Sequence, residues 1–289
     1  MLNAAILGTG PLGLDLIERI QNSPFLQCAL VVGRTPGSRG LAQAAELGCT
    51  TATGGIDALL DAGPFDVVFD ATNAFDHPAH SKKLADTATV LVDLTPASVG
   101  TLIVPTVNGD QAASHRHIGL VSCGGQASLP VLHALAQRYP PSYVEVVATA
   151  ATVSVGRASR LNLDEYVDTT RNAIGRFTGA ASAKTMLNIS AALPAPPFRI
   201  AMTVVADGIE QVPAQALVDV AEADMQAIVP GYRVTSCTVA DAMVRVVVEV
   251  AATRGRIPVH AGNLEVISAA AIYAAEQHAA PRATKELAR

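Results

Sequence analysis

The chain reads as an α/β protein, with a Rossmann-type parallel sheet domain followed by a second α+β domain carrying a mixed or antiparallel sheet. Three observations predict this. A glycine-rich turn, Gly8-Thr9-Gly10-Pro11-Leu12-Gly13, stands between a short apolar strand and an amphipathic helix at the start of the chain. Short apolar strands then alternate with helices over roughly the first 120 residues. Beyond them come longer β-rich runs separated by a few long helices.

Each element follows from its residues. Residues 4–7 form an apolar strand, and 14–22 an amphipathic helix after the turn. The first glycine permits the tight turn, the second lets a pyrophosphate approach the backbone, and the third lets helix and strand pack closely. Residues 28–32, 67–71, 89–93 and 118–121 read as further strands, and 41–47 and 80–86 as helices. In such a sheet ligands bind beyond the carboxyl ends of the strands. The segments 8–13, 71–73 and 94–96 together with Cys123 fall at such ends, which places them around one crevice. In the second half, 143–152, 198–205, 234–239 and 243–251 read as strands, and 163–177, 212–229 and 263–277 as helices. Asn162 and Asn263 stand where N-caps belong. The division expected is a dinucleotide-binding domain over 1–122, with a C-terminal helix at 263–289 packing back on it, and a catalytic and dimerisation domain over 123–262.

Composition narrows the function. At 289 residues the chain is long enough for two domains, and half of its residues are hydrophobic. No apolar run approaches the roughly 20 residues that span a bilayer. The first residues lack a basic region and a cleavage-like site, so a cytoplasmic protein without a secretory signal is expected. A net charge of −5 with no long basic cluster argues against nucleic acid as a partner. Cys28, Cys49, Cys123 and Cys237 lack metal-ligand spacing and read as reduced thiols, with Cys28 and Cys237 as inert members of apolar strands.

Cys123 stands apart. In Val121-Ser122-Cys123-Gly124-Gly125-Gln126 it follows a strand and precedes a helix expected over 127–137. Unpaired N–H groups and the positive end of the helix dipole favour a thiolate there. The two glycines let a substrate carbonyl approach the sulfur and those donors together. A thiolate and a nicotinamide on one chain point to aldehyde or thioester redox chemistry.

Cofactor choice is read from the end of the second strand, Val32-Gly33-Arg34-Thr35-Pro36-Gly37-Ser38-Arg39. NAD-preferring sites put a carboxylate there. Here Arg34 and Arg39 stand among two hydroxyls, which suits a 2′-phosphate and leans the reading toward NADP over NAD. Arg157 and Arg160 flank Ser159 and read equally as phosphate ligands or as solvated loop charges. His77, His80 and His260 are general-base candidates by chemistry alone and read more readily as surface histidines, His115 and His117 as loop histidines, and His133 as a helix residue pointing away from the helix start.

These segments resemble the acylating acetaldehyde dehydrogenases of aromatic meta-cleavage pathways. The resemblance covers nearly the whole chain. It rests on the glycine turn and on Phe69-Asp70-Ala71-Thr72-Asn73, Asp93-Leu94-Thr95-Pro96-Ala97, Val104-Pro105-Thr106-Val107-Asn108, 121–126, Asn162-Leu163-Asp164-Glu165, Val229-Pro230-Gly231-Tyr232-Arg233 and Ala261-Gly262-Asn263-Leu264. It implies Cys123 as nucleophile, while Asn162 reads as an N-cap, as an active-site donor beside the thioester oxygen, or as both. Cofactor contacts are implied at 9–12, at 154–162 beginning with Ser154, and at Asn263. It implies NAD or NADP as cofactor and coenzyme A as co-substrate. The implied substrate is an aldehyde or an acyl thioester, and the implied partners are a homodimer mate and either an aldolase or a carrier protein. Two departures stand out. Aligned on Pro196-Pro197, Met202 occupies the position of the family's aspartate, and methionine cannot move a proton. Asp207 lies five positions later and would face the other side of a continuing strand. The turn at 239–243 is shorter than the family's, which withholds the implication from aldolase docking. Two further readings stay open: a nucleotide-binding partner subunit that has lost catalysis, and a semialdehyde dehydrogenase using phosphate as acceptor.

Overall fold

The computed structural model describes residues 1–279, and the chain divides into two units: Met1–Leu120 with the residues from Ala270 onward, and Val121–Ala269. In the first unit the elements run β1 (Leu2–Leu7), α1 (Pro11–Gln21), β2 (Leu26–Gly33), α2 (Arg39–Glu46), β3 (Thr51–Thr53), α3 (Ile56–Ala62), β4 (Val67–Asp70), α4 (His77–Leu84), β5 (Val90–Asp93), β6 (Thr101–Ile103), α5 (Pro105–Asn108) and β7 (His117–Leu120). The seven strands form one sheet in the order β3-β2-β1-β4-β5-β7-β6, every neighbouring pair parallel. Every residue of β4 and of β5 is buried. That is the mark of a parallel sheet covered on both faces, and it explains why these strands read as continuous apolar runs rather than alternating ones. One part of the core gathers Ala5, Leu7, Leu30, Val32, Leu59, Val68 and Leu91 beneath α3 and α4. Strand order reverses between β1 and β4, so the crevice beyond their carboxyl ends is the switch point where such sheets take their ligand.

The second unit contains α6 (Cys123–Ala136), β8 (Tyr143–Ala151), α7 (Arg157–Leu161), α8 (Leu163–Thr178), β9 (Ser182–Ser190), β10 (Phe198–Val205), α9 (Gln211–Ile228), β11 (Tyr232–Ala240) and β12 (Met243–Val250). Its sheet has the order β11-β12-β10-β8-β9, antiparallel except for the parallel pair β8–β9, and is therefore mixed. Burial alternates along β8, β10 and β12, because one face carries helices and the other does not. The turn between β11 and β12 is tight, with Asp241 at φ 50 and Ala242 at φ 58, the positive-φ pair of a two-residue hairpin. The last helix, α10, spans Gly262–Glu276. Within the first unit the Tyr273 ring lies against Gly109, and the Ser23 hydroxyl donates to Glu276 Oε1 at 2.6 Å. Residues 280–289 of the helix expected over 263–289 lie outside the described residues.

Several elements lacked a legible signal, α3 and β9 the longest of them. The α3 segment Ile56-Asp57-Ala58-Leu59-Leu60-Asp61-Ala62 is too short to show a helical period, and β9 mixes Lys, Asn and Ser with only two large aliphatic residues. Both are held by neighbours, α3 by β1 and β2 and β9 by the parallel ladder to β8.

Candidate active site

In the first unit the glycine turn lies at the switch point. Gly8 leaves β1 at φ 116, a conformation open only to glycine at reasonable cost, and a Cβ there would sit 2.5 Å from the Ala71 carbonyl oxygen at the end of β4. A Cβ at Gly13 would collide with the Gly8 carbonyl oxygen. A Cβ at Gly10 would meet nothing within 4 Å. The outer glycines are thus required by packing, while the middle one borders open space at the N-terminus of α1. The N–H groups of that first turn have no partner inside the helix. The arrangement fits a dinucleotide pyrophosphate. The helix begins at Pro11, three residues before the expected start, because proline at the first helical position is preset for it.

The basic loop lies next to this turn. A Cβ at Gly40 would lie 2.0 Å from the Thr9 carbonyl oxygen, so the start of α2 presses on the glycine turn. Arg39 is the first residue of α2 and is exposed. Ser38 caps the helix, its side chain accepting from Leu41 N–H at 3.3 Å, and is thereby withdrawn from the pair of hydroxyls expected around a phosphate. Arg34 is exposed and pairs with Asp76 at 3.6 Å.

In the second unit Cys123 is the first residue of α6, four residues ahead of the expected helix start. Ser122 is the N-cap, its hydroxyl accepting from Gly125 N–H at 2.9 Å. Because the Thr170 hydroxyl donates to the Tyr166 carbonyl oxygen at 2.6 Å, the Ser122–Thr170 contact of 2.7 Å is made by the Ser122 proton. This chain ties the start of α6 to α8. The same packing explains Gly124: a Cβ there would lie 2.1 Å from Tyr166 Oη and 3.3 Å from Ala148 Cβ. Tyr166 was not singled out in the sequence, because nothing local marks a helix tyrosine as a neighbour of Cys123. Its hydroxyl is buried and falls short of a well-formed hydrogen bond, yet it lies close enough to the sulfur to act as a weak donor.

The expected resting thiolate is corrected by burial. Burial pushes the Cys123 thiol up to about 11, outweighing the lowering by the Tyr166 hydroxyl and by the N–H groups of Gly124 and Cys123. Tyr166 is itself pushed well above its usual range, first by burial and then by Cys123, so it remains a phenol with a proton to donate. Alkylation of Cys123 by iodoacetamide should therefore climb about tenfold per pH unit between pH 7 and 10, levelling only near 11. Tyr166→Phe should slow it further at any one pH, since a group that lowers the thiol's pKa is lost. A profile levelling near pH 8, read by mass spectrometry of the alkylated peptide, would contradict this.

Other expected site residues divide. Asn162 is buried, but its side chain does not cap α8; its carbonyl opens the helix by accepting from Tyr166 N–H at 3.0 Å. Asn263 is inside the first turn of α10 rather than its cap, and its Nδ2 donates to the Ser154 carbonyl oxygen at 3.0 Å. Its Oδ1 is buried without a hydrogen-bond partner, an acceptor left for a ligand amide. The Ser154 hydroxyl turns inward to the Ala151 carbonyl at 2.9 Å, so Ser154 acts through its backbone by orienting Asn263. Arg160 is likewise occupied, its guanidinium donating to the Val155 and Thr152 carbonyls at 3.3 and 2.9 Å. Met202 is buried on the helix-covered face of β10, two positions from Ile200, the ladder partner of Ala148. Asp207 lies past the end of β10 in an exposed turn, not on a continuing strand.

Two histidine expectations change, while Cys28 stands in an apolar strand as expected. His77 is fully buried rather than on the surface. His117 opens β7 and is hydrogen-bonded rather than sitting in a loop. Cys28 is half-buried, and its sulfur lies 3.6 Å from that of Cys49. Among the described residues no cluster has metal-binding geometry, and no helix is long and apolar enough to cross a membrane.

The family described as "Prokaryotic acetaldehyde dehydrogenase, dimerisation" matches residues 123–258. An acetaldehyde dehydrogenase from Streptomyces griseus is 48% identical over 96% of this chain and 90% of that protein. One from Brevibacillus brevis is 37% identical over 96% of each. Among solved structures, aspartate semialdehyde dehydrogenase II of Vibrio cholerae complexed with ASA has the same fold, with a TM-score of 0.67 at 13% identity, covering 96% of this chain and 98% of that one. With a relative this similar along almost its whole length, the chain belongs to the acetaldehyde dehydrogenase family.

Proposed function

We propose that this chain is an NAD(P)-dependent acylating aldehyde dehydrogenase that works through a thioester on Cys123 and uses coenzyme A as acceptor. The observation that carries the reading is the placement of Cys123 at the first position of α6, beside Tyr166 and two backbone N–H groups, in a chain that also holds a dinucleotide-type turn. Cys123 sulfur loses its proton and bonds to the aldehyde carbon, giving a thiohemiacetal. The N–H groups at the start of α6 and the Tyr166 hydroxyl are donors suited to the oxyanion that forms. Bound NAD(P) would supply the hydride acceptor for the aldehyde hydrogen, and the thiol of coenzyme A would receive the acyl group as the bond to Cys123 breaks and the sulfur is released. The residues that would hold the cofactor are Gly8 to Gly13, with Arg39 and Arg34 toward a 2′-phosphate and Asn263 Oδ1 toward an amide. The substrate is of acetaldehyde size, as in the named relatives, and the enzyme works as a homodimer.

Because Cys123 rests as a thiol, acylation should quicken as pH rises from 7 to 9. The test follows absorbance at the reduced nicotinamide band with acetyl-CoA and either NADPH or NADH. Consumption of reduced cofactor, faster with NADPH, is the expected result. In the oxidative direction, coenzyme A rather than inorganic phosphate should sustain turnover on acetaldehyde. Turnover with phosphate alone would favour the semialdehyde dehydrogenase chemistry, and cofactor binding with no acylation would favour a non-catalytic partner subunit.

A further inference from the structure

The first unit contains a buried polar cluster that the mechanism above does not use. Asp70 ends β4, Asp93 ends β5, and His77 opens α4 between them; all three are fully buried. Asp70 Oδ2 accepts from His77 Nδ1–H and from His80 Nδ1–H, each at 2.8 Å. Asp70 Oδ1 accepts from the Thr72 N–H at 3.1 Å and from the Thr72 hydroxyl. Four donors converge on one carboxylate. Burial pushes Asp70 up, but the bonds from His77 and His80 outweigh it and hold the group well below the usual carboxylate range.

The other side of the imidazole is different. His77 Nε2 faces His117 Nε2 at 3.0 Å and Asp93 Oδ2 at 3.3 Å. Burial and the charge of Asp70 push Asp93 well up, so it is the protonated carboxyl of the pair. With Nδ1 committed to Asp70, the His77 ring turns Nε2 toward His117 Nε2, while Asp93 Oδ2 lies beside it without a well-formed hydrogen bond. His117 Nδ1 in turn meets the Ser81 hydroxyl at 3.2 Å. One imidazole therefore locks the ends of β4 and β5 to α4, with a neighbour on each nitrogen.

This lock bears on the glycine turn. Asp70 sets the Ala71–Thr72 peptide through both bonds to Thr72. Ala71 N–H donates to the Leu7 carbonyl at 2.8 Å, and the Ala71 carbonyl oxygen is the atom pressed against Gly8. We infer that His77 and Asp70 form a positioning pair that fixes the Ala71–Thr72 turn beneath Gly8 and thereby sets affinity for the dinucleotide. Neither side chain touches the ligand. The inference rests on the dinucleotide reading of the glycine turn.

The test measures NADPH and NADH affinity of the full chain by fluorescence titration, alongside kcat at saturating cofactor and thermal melting. Wild type is measured first: if it binds neither cofactor, the dinucleotide reading itself fails. Given binding by wild type, His77→Gln, which cannot place a donor where Nδ1 stands, should weaken affinity by about tenfold. Its kcat at saturation should change less than about threefold. His77→Asn, whose amide can stand in for Nδ1, should restore affinity to within about threefold of wild type. Thr72→Val, which removes one donor to Asp70 from a half-buried position, should weaken affinity in the same direction and serves if His77→Gln does not fold. Unchanged affinity in both His77→Gln and Thr72→Val overturns the inference. So does equal weakening in His77→Gln and His77→Asn, since that would mark loss of packing rather than loss of the bond to Asp70.

Discussion

Cys123→Ala will abolish turnover: consumption of reduced nicotinamide in the presence of acetyl-CoA should fall by at least about 10³-fold, because no other group in the reaction can carry the acyl intermediate. Affinity for NAD(P)H should stay within about twofold, since the proposed pyrophosphate contacts at the glycine turn do not involve the Cys123 side chain. Mass spectrometry makes the result specific. Wild type incubated with acetyl-CoA without reduced cofactor should gain one acetyl group, located on the peptide containing Cys123 and removed by hydroxylamine. The variant should gain none. Residual turnover above a few per cent, or an adduct on Cys28, Cys49 or Cys237, would remove Cys123 from the mechanism. The three other thiols make poor substitutes, because none of them opens a helix.

Gly124→Ala carries the second large effect. Its methyl would need the space of Tyr166 Oη, 2.1 Å from the Cβ position, and would also press on Ala148. Tyr166 is buried and α8 is tied to α6 through Ser122 and Thr170, so neither partner can retreat freely. Overpacking of this kind costs about 1–3 kcal/mol of stability. A displacement of the first turn of α6 by about 1 Å would lower kcat by about 10²-fold, because the sulfur and its donors move together. Chemical denaturation and steady-state kinetics check the two parts. The double variant Gly124→Ala, Tyr166→Phe should recover part of the stability, as removal of Oη opens the space. A neutral Gly124→Ala would mean that the close approach of Tyr166 has no consequence for the site.

Much of the fold and half of the site were legible along the chain. The glycine turn is a local signal: strand, G-x-G-x-x-G and helix are consecutive, with Gly13 answering to the Gly8 backbone, Gly8 to the adjacent strand, and Gly10 bordering open space. Cys123 was legible for the same reason, since a strand end and a helix start flank it directly. Asn162 stands at the N-cap of α8 as expected but makes no side-chain cap bond, whereas Asn263 lies inside α10 and reaches Ser154 instead, because asparagine before a helix serves equally as a cap or as a buried ligand for something distant.

What the amino-acid order determined by itself was the strand–helix rhythm, the dinucleotide turn and the position of the sulfur at a helix start, all consequences of contacts within a few residues. The tertiary structure alone decided the state of that sulfur: burial raised the thiol that the helix terminus would lower, and desolvation depends on what packs around a group rather than on what adjoins it in sequence. It also decided the company of His77, whose partner His117 lies 40 positions away and reaches it only because β5 and β7 are neighbours in the sheet.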